Sequence, residues 1–207
     1  MKITIQDNKG HTIVSGDYVD LASAIEANKG IMLDANLEGV DLSGVTMCDA
    51  NLVGTNLTGA NLQNTDLSGA YLINANLKNA DLSFASLVGA NLLGADLEEA
   101  DLEGADLERA NLGGANLVGA DLTRADLRGS NLSGADLCRI CGKSTDLRMT
   151  NSNGANLSKS LLLSADLRGA SLNSADLSNA ILVDAYLQGA DMTDADMNGA
   201  DLTDARR

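Results

Sequence analysis

Ala35-Asn36-Leu37-Glu38-Gly39-Val40-Asp41-Leu42-Ser43-Gly44-Val45-Thr46-Met47-Cys48-Asp49 begins a run in which every fifth residue is a large apolar one. The run keeps phase from Leu37 to Leu202, which makes 34 consecutive five-residue units. The centre is Leu in 29 of them and Met in three, Met47, Met192 and Met197; Gly142 and Ser152 are the exceptions. Two residues before the centre, Ala predominates. The residue between them is Asp in 15 units and Asn in 11, and Gly is frequent two residues after the centre.

A period of five fits neither the 3.6-residue helix nor a long flat strand of period two. It fits a short extended face followed by a corner. The centre and the residue two before it point inward. The residue between them points outward, so Asp and Asn are tolerated there. Gly relieves the corner, where φ turns positive. A succession of such corners closes into a coil, and stacked coils share ladder hydrogen bonds.

This A(D/N)LxG pattern resembles the pentapeptide-repeat family across residues 35–206. The resemblance implies an all-β fold, a right-handed quadrilateral β-helix with four pentapeptides per coil. Its 34 repeats then make about 8.5 coils. At ~4.8 Å between strands the rod is ~40 Å long. Its core is solid Leu and small residues, with no pocket.

Residues 1–34 do not repeat and read as an N-terminal cap; residues 35–207 are the β-helix. Lys2-Ile3-Thr4-Ile5 and His11-Thr12-Ile13-Val14 flank Asn8-Lys9-Gly10, a hairpin signature. Asp20-Leu21-Ala22-Ser23-Ala24-Ile25-Glu26 reads as a short helix with Asp20 as N-cap and Gly30 just past its end. Leu21 and Ile25 share a face directed at the first coil. No matching cap follows Leu202. The last core residues, Met192, Met197 and Leu202, are therefore a candidate homodimer surface at the C-terminal end.

Composition agrees with a narrow core. In 207 residues, aromatics are 2%, Trp and Pro are absent, and apolar residues still reach 44%. Fourteen Lys and Arg against 29 Asp and Glu give a net charge of −15. That disfavours direct nucleic-acid binding, which needs positive charge against phosphate. It disfavours an anionic membrane surface for the same reason. The N-terminal stretch has no apolar signal core, and the expected location is cytoplasmic.

With 20 residues per coil, residues 20 apart stack, so the outside can be read as columns. Asp106, Asp126, Asp146 and Asp166 form one, with Arg128, Arg148 and Arg168 offsetting their repulsion. Asn51, Asn91, Asn111, Asn131 and Asn151 are expected as an Asn ladder on the opposite face, beside an apolar stripe of Val53, Ile73, Leu93 and Tyr71. A third column runs Asp81, Asp101, Asp121, then changes to Cys141, Leu161 and Ile181. Leu161, Leu163, Ile181 and Val183 there form a candidate protein-interaction patch. An acidic belt of Asp96, Glu98, Glu99, Asp101, Glu103, Asp106 and Glu108 is a candidate docking surface for a basic partner. Gly142 and Ser152, ten residues apart, remove two core Leu from opposite walls of one coil, which predicts a void or a distorted level there.

Catalytic chemistry has little to stand on. The single His, His11, lies in the hairpin. Cys138-x-x-Cys141 is one pair, and a zinc site needs about four ligands. No phosphate-binding Gly motif stands out. The expectation is a non-enzymatic protein with no cofactor and no metal. The resemblance implies two kinds of role. Most members are bacterial proteins of unknown role, expected to act by binding other proteins. A minority are DNA mimics that bind type II topoisomerases and protect them from quinolones or toxins, which makes DNA gyrase the alternative partner. Residues 35–207 carry a net −13, about half the charge of ~40 Å of B-DNA. Topoisomerase-binding members also commonly carry loops that break the repeat, and this chain keeps phase throughout.

Overall fold

Each five-residue unit uses its five backbone groups in a fixed way. Val40 N–H donates to Leu37 C=O within the corner, at 3.3 Å, closing a β-turn. The third residue of that turn has positive φ at every corner, as in Gly39 (63°) and Asn64 (55°), which is the type II requirement. Three further N–H groups reach neighbouring coils: Leu37 to Asn56 C=O, Gly39 to Thr58 C=O, and Asn56 to Ala35 C=O.

The fifth N–H, of the residue just after the centre, has no backbone acceptor. The side chain of the Asp or Asn before the centre takes it. All 26 Asp and Asn residues at that position accept this bond through Oδ1. These residues are therefore selected for a local side-chain-to-backbone bond, and outward orientation alone does not explain them.

The structure is a computed structural model that describes residues 1–207. Parallel bridges join residues 20 apart without interruption from Asn36↔Asn56 to Tyr186↔Arg206. The chain is thus a β-helix solenoid with four walls. Inside, Leu and Ala are buried at almost every level and form one continuous core with the N-terminal Ile3, Ile5, Val14 and Ile25. No helix is long and apolar enough to cross a membrane.

The N-terminal segment docks onto the first coil. Strand β1 (Lys2–Gln6) pairs antiparallel with β2 (Thr12–Asp17). Helix α1 (Leu21–Ala27) has Asp20 at its N-cap, with Ser23 N–H donating to the carboxylate at 2.8 Å. The helix closes at Asn28, and Gly30 lies inside a 3₁₀ turn (Lys29–Ile31) instead of ending the helix. Asn36 N–H donates to Gln6 C=O, and Asn51 N–H to Lys29 C=O, so this segment occupies the ladder positions that a preceding coil would fill.

The level of Gly142 and Ser152 is not empty at Gly142, but its corners are stretched: the Ile140, Thr145, Thr150 and Ser160 corner bonds lengthen to 3.3–3.4 Å, against 3.0 Å at a regular corner such as Ala105. A Cβ on Gly142 would lie 2.8 Å from Leu162 Cδ2 and 3.5 Å from Ile140 Cδ1, so neighbouring side chains already occupy the space. The ladder passes through it intact. Polarity changes as well. Ser130, Thr145, Thr150, Ser152 and Ser160 are all buried there. Thr145 Oγ1 donates to Leu122 C=O at 2.7 Å and Thr150 Oγ1 to Leu147 C=O at 2.9 Å, while the Ser130 and Ser160 hydroxyls have no partner.

Candidate interaction surfaces

The columns follow from the 20-residue period, but two walls exchange places. Columns five residues out of phase lie on adjacent walls, and only ten residues bring a column to the opposite side. The Asn column is therefore next to the Asp/Arg column, not opposite it. The opposite wall alternates Asp96, Asn116, Asp136 and Asn156, and each Asn amide donates to the preceding Asp at 3.0 and 2.9 Å. That alternation separates carboxylates that would otherwise stack.

On the Asp/Arg wall the ion pairs form as the columns require. Arg128 bridges Asp126 (2.6 Å) and Glu108 (3.1 Å), and reaches Asp146 at 3.8 Å. Arg148 pairs with Asp146 and reaches Asp166 at 3.6 Å, and Arg168 pairs with Asp166 alone, at 2.6 Å. The Arg168 side chain, bonded to Asp166, holds that carboxyl below the usual carboxylate range. At the next level Tyr186 replaces the acid, and the Arg168 and Arg206 guanidiniums lie 5.7 and 4.7 Å from its ring centre. The Asn ladder is continuous from Asn91 through Asn111 and Asn131 to Asn151, at 2.9–3.0 Å. Tyr71, exposed, interrupts it, so Asn51 stands apart. Leu93 beside it is also exposed.

The acidic belt is less bare than its sequence suggests. Lys78 pairs with Asp96 (3.2 Å) and Glu98 (2.7 Å). Arg124 pairs with Glu103 at 3.3 Å, and Arg128 and Arg109 with Glu108. Only Glu99, Asp101 and Asp106 have no cationic partner. The partners come from neighbouring coils, 18 to 21 residues away, with the exception of Arg109.

The apolar patch is assembled as read. Leu161 bridges Cys141 on one side and Ile181 on the other. Leu161 is 40% exposed, and Leu163, Ile181 and Val183 are half-buried beside it. Two large apolar side chains missed by the column reading stand out from left-handed corners: Phe84, 60% exposed, and Met149, 70% exposed. Each lies over the glycine one coil further on. A Cβ on Gly104 would meet the Phe84 ring at 2.7 Å, and one on Gly169 would meet Met149 Sδ at 2.5 Å. The signal was present as a bulky corner residue followed 20 residues later by Gly.

At the C-terminal end, Met192, Met197 and Leu202 pack on the core but stay half-buried. Their N–H groups lack the inter-coil acceptors used by every earlier Leu centre. Cys48, Cys138 and Cys141 are free thiols, and Cys138 and Cys141 contact the hydroxyls of Ser158 (3.6 Å) and Thr123 (3.3 Å). No group of three or more His, Cys, Asp or Glu side chains is placed to hold a metal ion. His11 Nδ1 lies 2.9 Å from Asp7 Oδ2, within the hairpin. That bond is the main cause of the Asp7 carboxyl lying at about 2.

A four-walled solenoid of Leu-centred five-residue units with a ladder period of 20 defines the class. The family model for pentapeptide repeats matches residues 35–72, 65–104, 105–141, 143–179 and 170–206, and the chain belongs to that family. Comparison with curated protein sequences finds no match. Among solved structures, the chain is similar to HetL, a pentapeptide-repeat protein involved in heterocyst differentiation regulation in the cyanobacterium Nostoc sp. strain PCC 7120. The two are 31% identical over 91% of this chain and 95% of HetL, with a TM-score of 0.66. It also matches QnrB1, a plasmid-mediated fluoroquinolone resistance protein, at 19% identity over 82% of this chain and 91% of that one, with a TM-score of 0.49. A pentapeptide-repeat protein of the Arabidopsis thaliana thylakoid lumen matches at 33% identity over 60% of this chain and 69% of that one, with a TM-score of 0.39.

Proposed function

We propose that this protein is a non-enzymatic protein-interaction scaffold. In this reading the right-handed rod of about 8.5 coils holds binding residues at fixed spacing on flat walls. Residues 1–34 serve as its cap. One observation carries the reading. Leu161, Leu163, Ile181 and Val183 lie together on the outside of a wall where the family pattern places Asp or Asn and polar residues. A contiguous apolar patch is the kind of feature that partners cover. The test is affinity capture by the intact chain and by Leu161→Asp/Ile181→Asp, with light scattering of both. Loss of a specific partner in the variant is expected. Unchanged partners and unchanged mass would sink the reading.

A second reading, a DNA mimic acting on DNA gyrase, draws on a different region. Residues 35–123 hold 13 acidic and 2 basic side chains. Over ~21 Å of rod that net charge approaches the ~12 phosphates of the same length of B-DNA. A gyrase supercoiling assay with and without a fluoroquinolone decides it. Inhibition or drug protection that weakens with salt would establish the mimic. The half-buried Met192, Met197 and Leu202 are the proposed homodimer surface of this chain, and a monomeric mass at micromolar concentration would refute that.

A further inference from the structure

Leu161 and Leu163 of the apolar patch sit in the one part of the rod where charge reverses; Ile181 and Val183 lie just beyond it, next to Asp184 and Asp201. Residues 124–168 carry seven Arg and Lys against four Asp, in a chain of net charge −15. Four of those cations are paired on other positions: Arg124 with Glu103, and Arg128, Arg148 and Arg168 along the Asp column. The other three, Arg139, Lys143 and Lys159, have no carboxylate within ion-pair distance, and all three are exposed. Their positions converge on the patch. Lys143 stands in the column of Leu163 and Val183, 20 residues before Leu163. Arg139 and Lys159 stack, 20 apart, at the corner that leads into the same wall.

The backbone there has donors to spare. In 26 units an Asp or Asn oxygen covers the outward N–H after the centre. Here the covering residue is Cys141, Leu161 and Ile181 at three successive levels, and the N–H groups of Lys143, Leu163 and Val183 have no acceptor. No other column loses that acceptor at three levels in succession. Between Asp121 and Asp201, which bound the column at either end, the wall therefore offers aliphatic side chains, a line of free N–H donors and three unpaired cations. Such a surface matches a partner with carboxylates set beside bulky aliphatic groups. Anionic oxygens would meet the cations and N–H groups, while apolar side chains cover Leu161 and Ile181.

Building on the scaffold reading, we infer that the Leu161/Ile181 wall binds an acidic, aliphatic-rich peptide segment of a partner protein. The test is selection of a random-peptide phage library on the intact 207-residue chain. Enriched peptides are then synthesised and titrated by fluorescence anisotropy. Two variants serve as controls, Leu161→Asp/Ile181→Asp and Arg139→Glu/Lys143→Glu/Lys159→Glu, both at exposed or half-buried positions, checked for an unchanged circular dichroism spectrum. The expected peptides combine Asp or Glu with Leu, Ile or Phe. They lose binding on the first variant and weaken about tenfold on the second and at high salt. Peptides without acidic residues, or binding indifferent to the charge-reversal variant, overturn the inference. Peptides that bind both variants equally overturn it while leaving a scaffold that works through another wall. Failure to enrich any peptide specific to the chain counts against the scaffold reading itself. Preferential binding of the wall to phosphatidylglycerol vesicles, or a dimer that both variants disrupt, replaces the peptide with a lipid surface or a second copy.

Discussion

Residues 35–123 and residues 124–168 are wound by the same ladder, yet they differ inside and out. In the first region the core is Leu and Ala apart from Val40, Val45, Met47, Thr55 and Thr65, and the surface holds 13 acids against 2 bases. In the second, Gly142 and Ser152 displace two core Leu, five buried Ser and Thr enter the interior, and the surface turns basic and apolar. The inter-coil ladder does not register the change, because it is main-chain to main-chain with bridges every 20 residues; only the corner bonds at Ile140, Thr145, Thr150 and Ser160 lengthen, to 3.3–3.4 Å. A solenoid separates the two problems. Ladder and corner hold the shape, and each level is then free to vary its core and its walls, since each contacts only its neighbours.

The core offers the largest test of that contrast. Leu102 is fully buried in the regular region, and Leu102→Ala should cost about 3 kcal/mol by leaving a cavity among side chains that cannot collapse. Ser152 is also buried but fills less volume and makes one 3.2 Å contact with Thr150 Oγ1. Ser152→Ala should cost about 1 kcal/mol or less. Urea denaturation of the two variants measures both. Equal costs would mean that the polar level is as tightly specified as the Leu/Ala levels, and the division of the rod into a regular and a permissive part would fall.

Corners give the next effect. Gly104 has φ of 64° and lies under the Phe84 ring, whereas Gly114 has φ of 62° and open space around its Cβ position. Both pay for a left-handed Ala, about 1 kcal/mol. Gly104→Ala must also displace the ring, which brings its cost to about 2 kcal/mol. In a Phe84→Ala background the excess should vanish, so a double-mutant cycle isolates it. An unchanged cost in that background would show that the stacked ring is incidental.

How far the residues themselves disclosed this differs from feature to feature. The five-residue period, with Leu inward and Ala two before it, was sufficient for the solenoid and for which residues share a column. Leu161 and Ile181 were found that way. Three things were not visible. Which N–H lacks a backbone acceptor depends on how the ladder consumes the other four, so the Asx bond that explains Asp and Asn emerged only with the coils built. The neutralisation of the acidic belt depends on Lys78 and Arg124 reaching across to the next coil. At Gly142 the larger Ile140 in place of Ala was legible as a partial filler, but that Leu162 closes the rest of the expected void is a matter of rotamers and cannot be read from spacing.

The surface should give the smallest effect, and its sign can be fixed in advance. Asp166 is held below the ordinary carboxylate range by its bonds to Arg168. A carboxyl depressed in the folded state contributes stability above its unfolded value and loses it as pH falls through the folded one. The Arg-paired wall should therefore keep its contribution at neutral pH and shed it below about pH 4. Asp166→Asn removes the charge and should lower Tm at pH 7 by about 2 °C, the scale of one exposed ion pair in a chain of this size. Near pH 2 the variant and the parent should melt together. The equivalent change on the Asn-separated wall, Asp136→Asn, removes a carboxylate with no cationic partner and should leave Tm at pH 7 within error. Asn keeps the Oδ1 that covers the N–H groups of Cys138 and Arg168, so a drop at Asp136 as large as at Asp166 would mean that losing the carboxylate charge itself is what costs stability, and that the Arg column adds nothing to it.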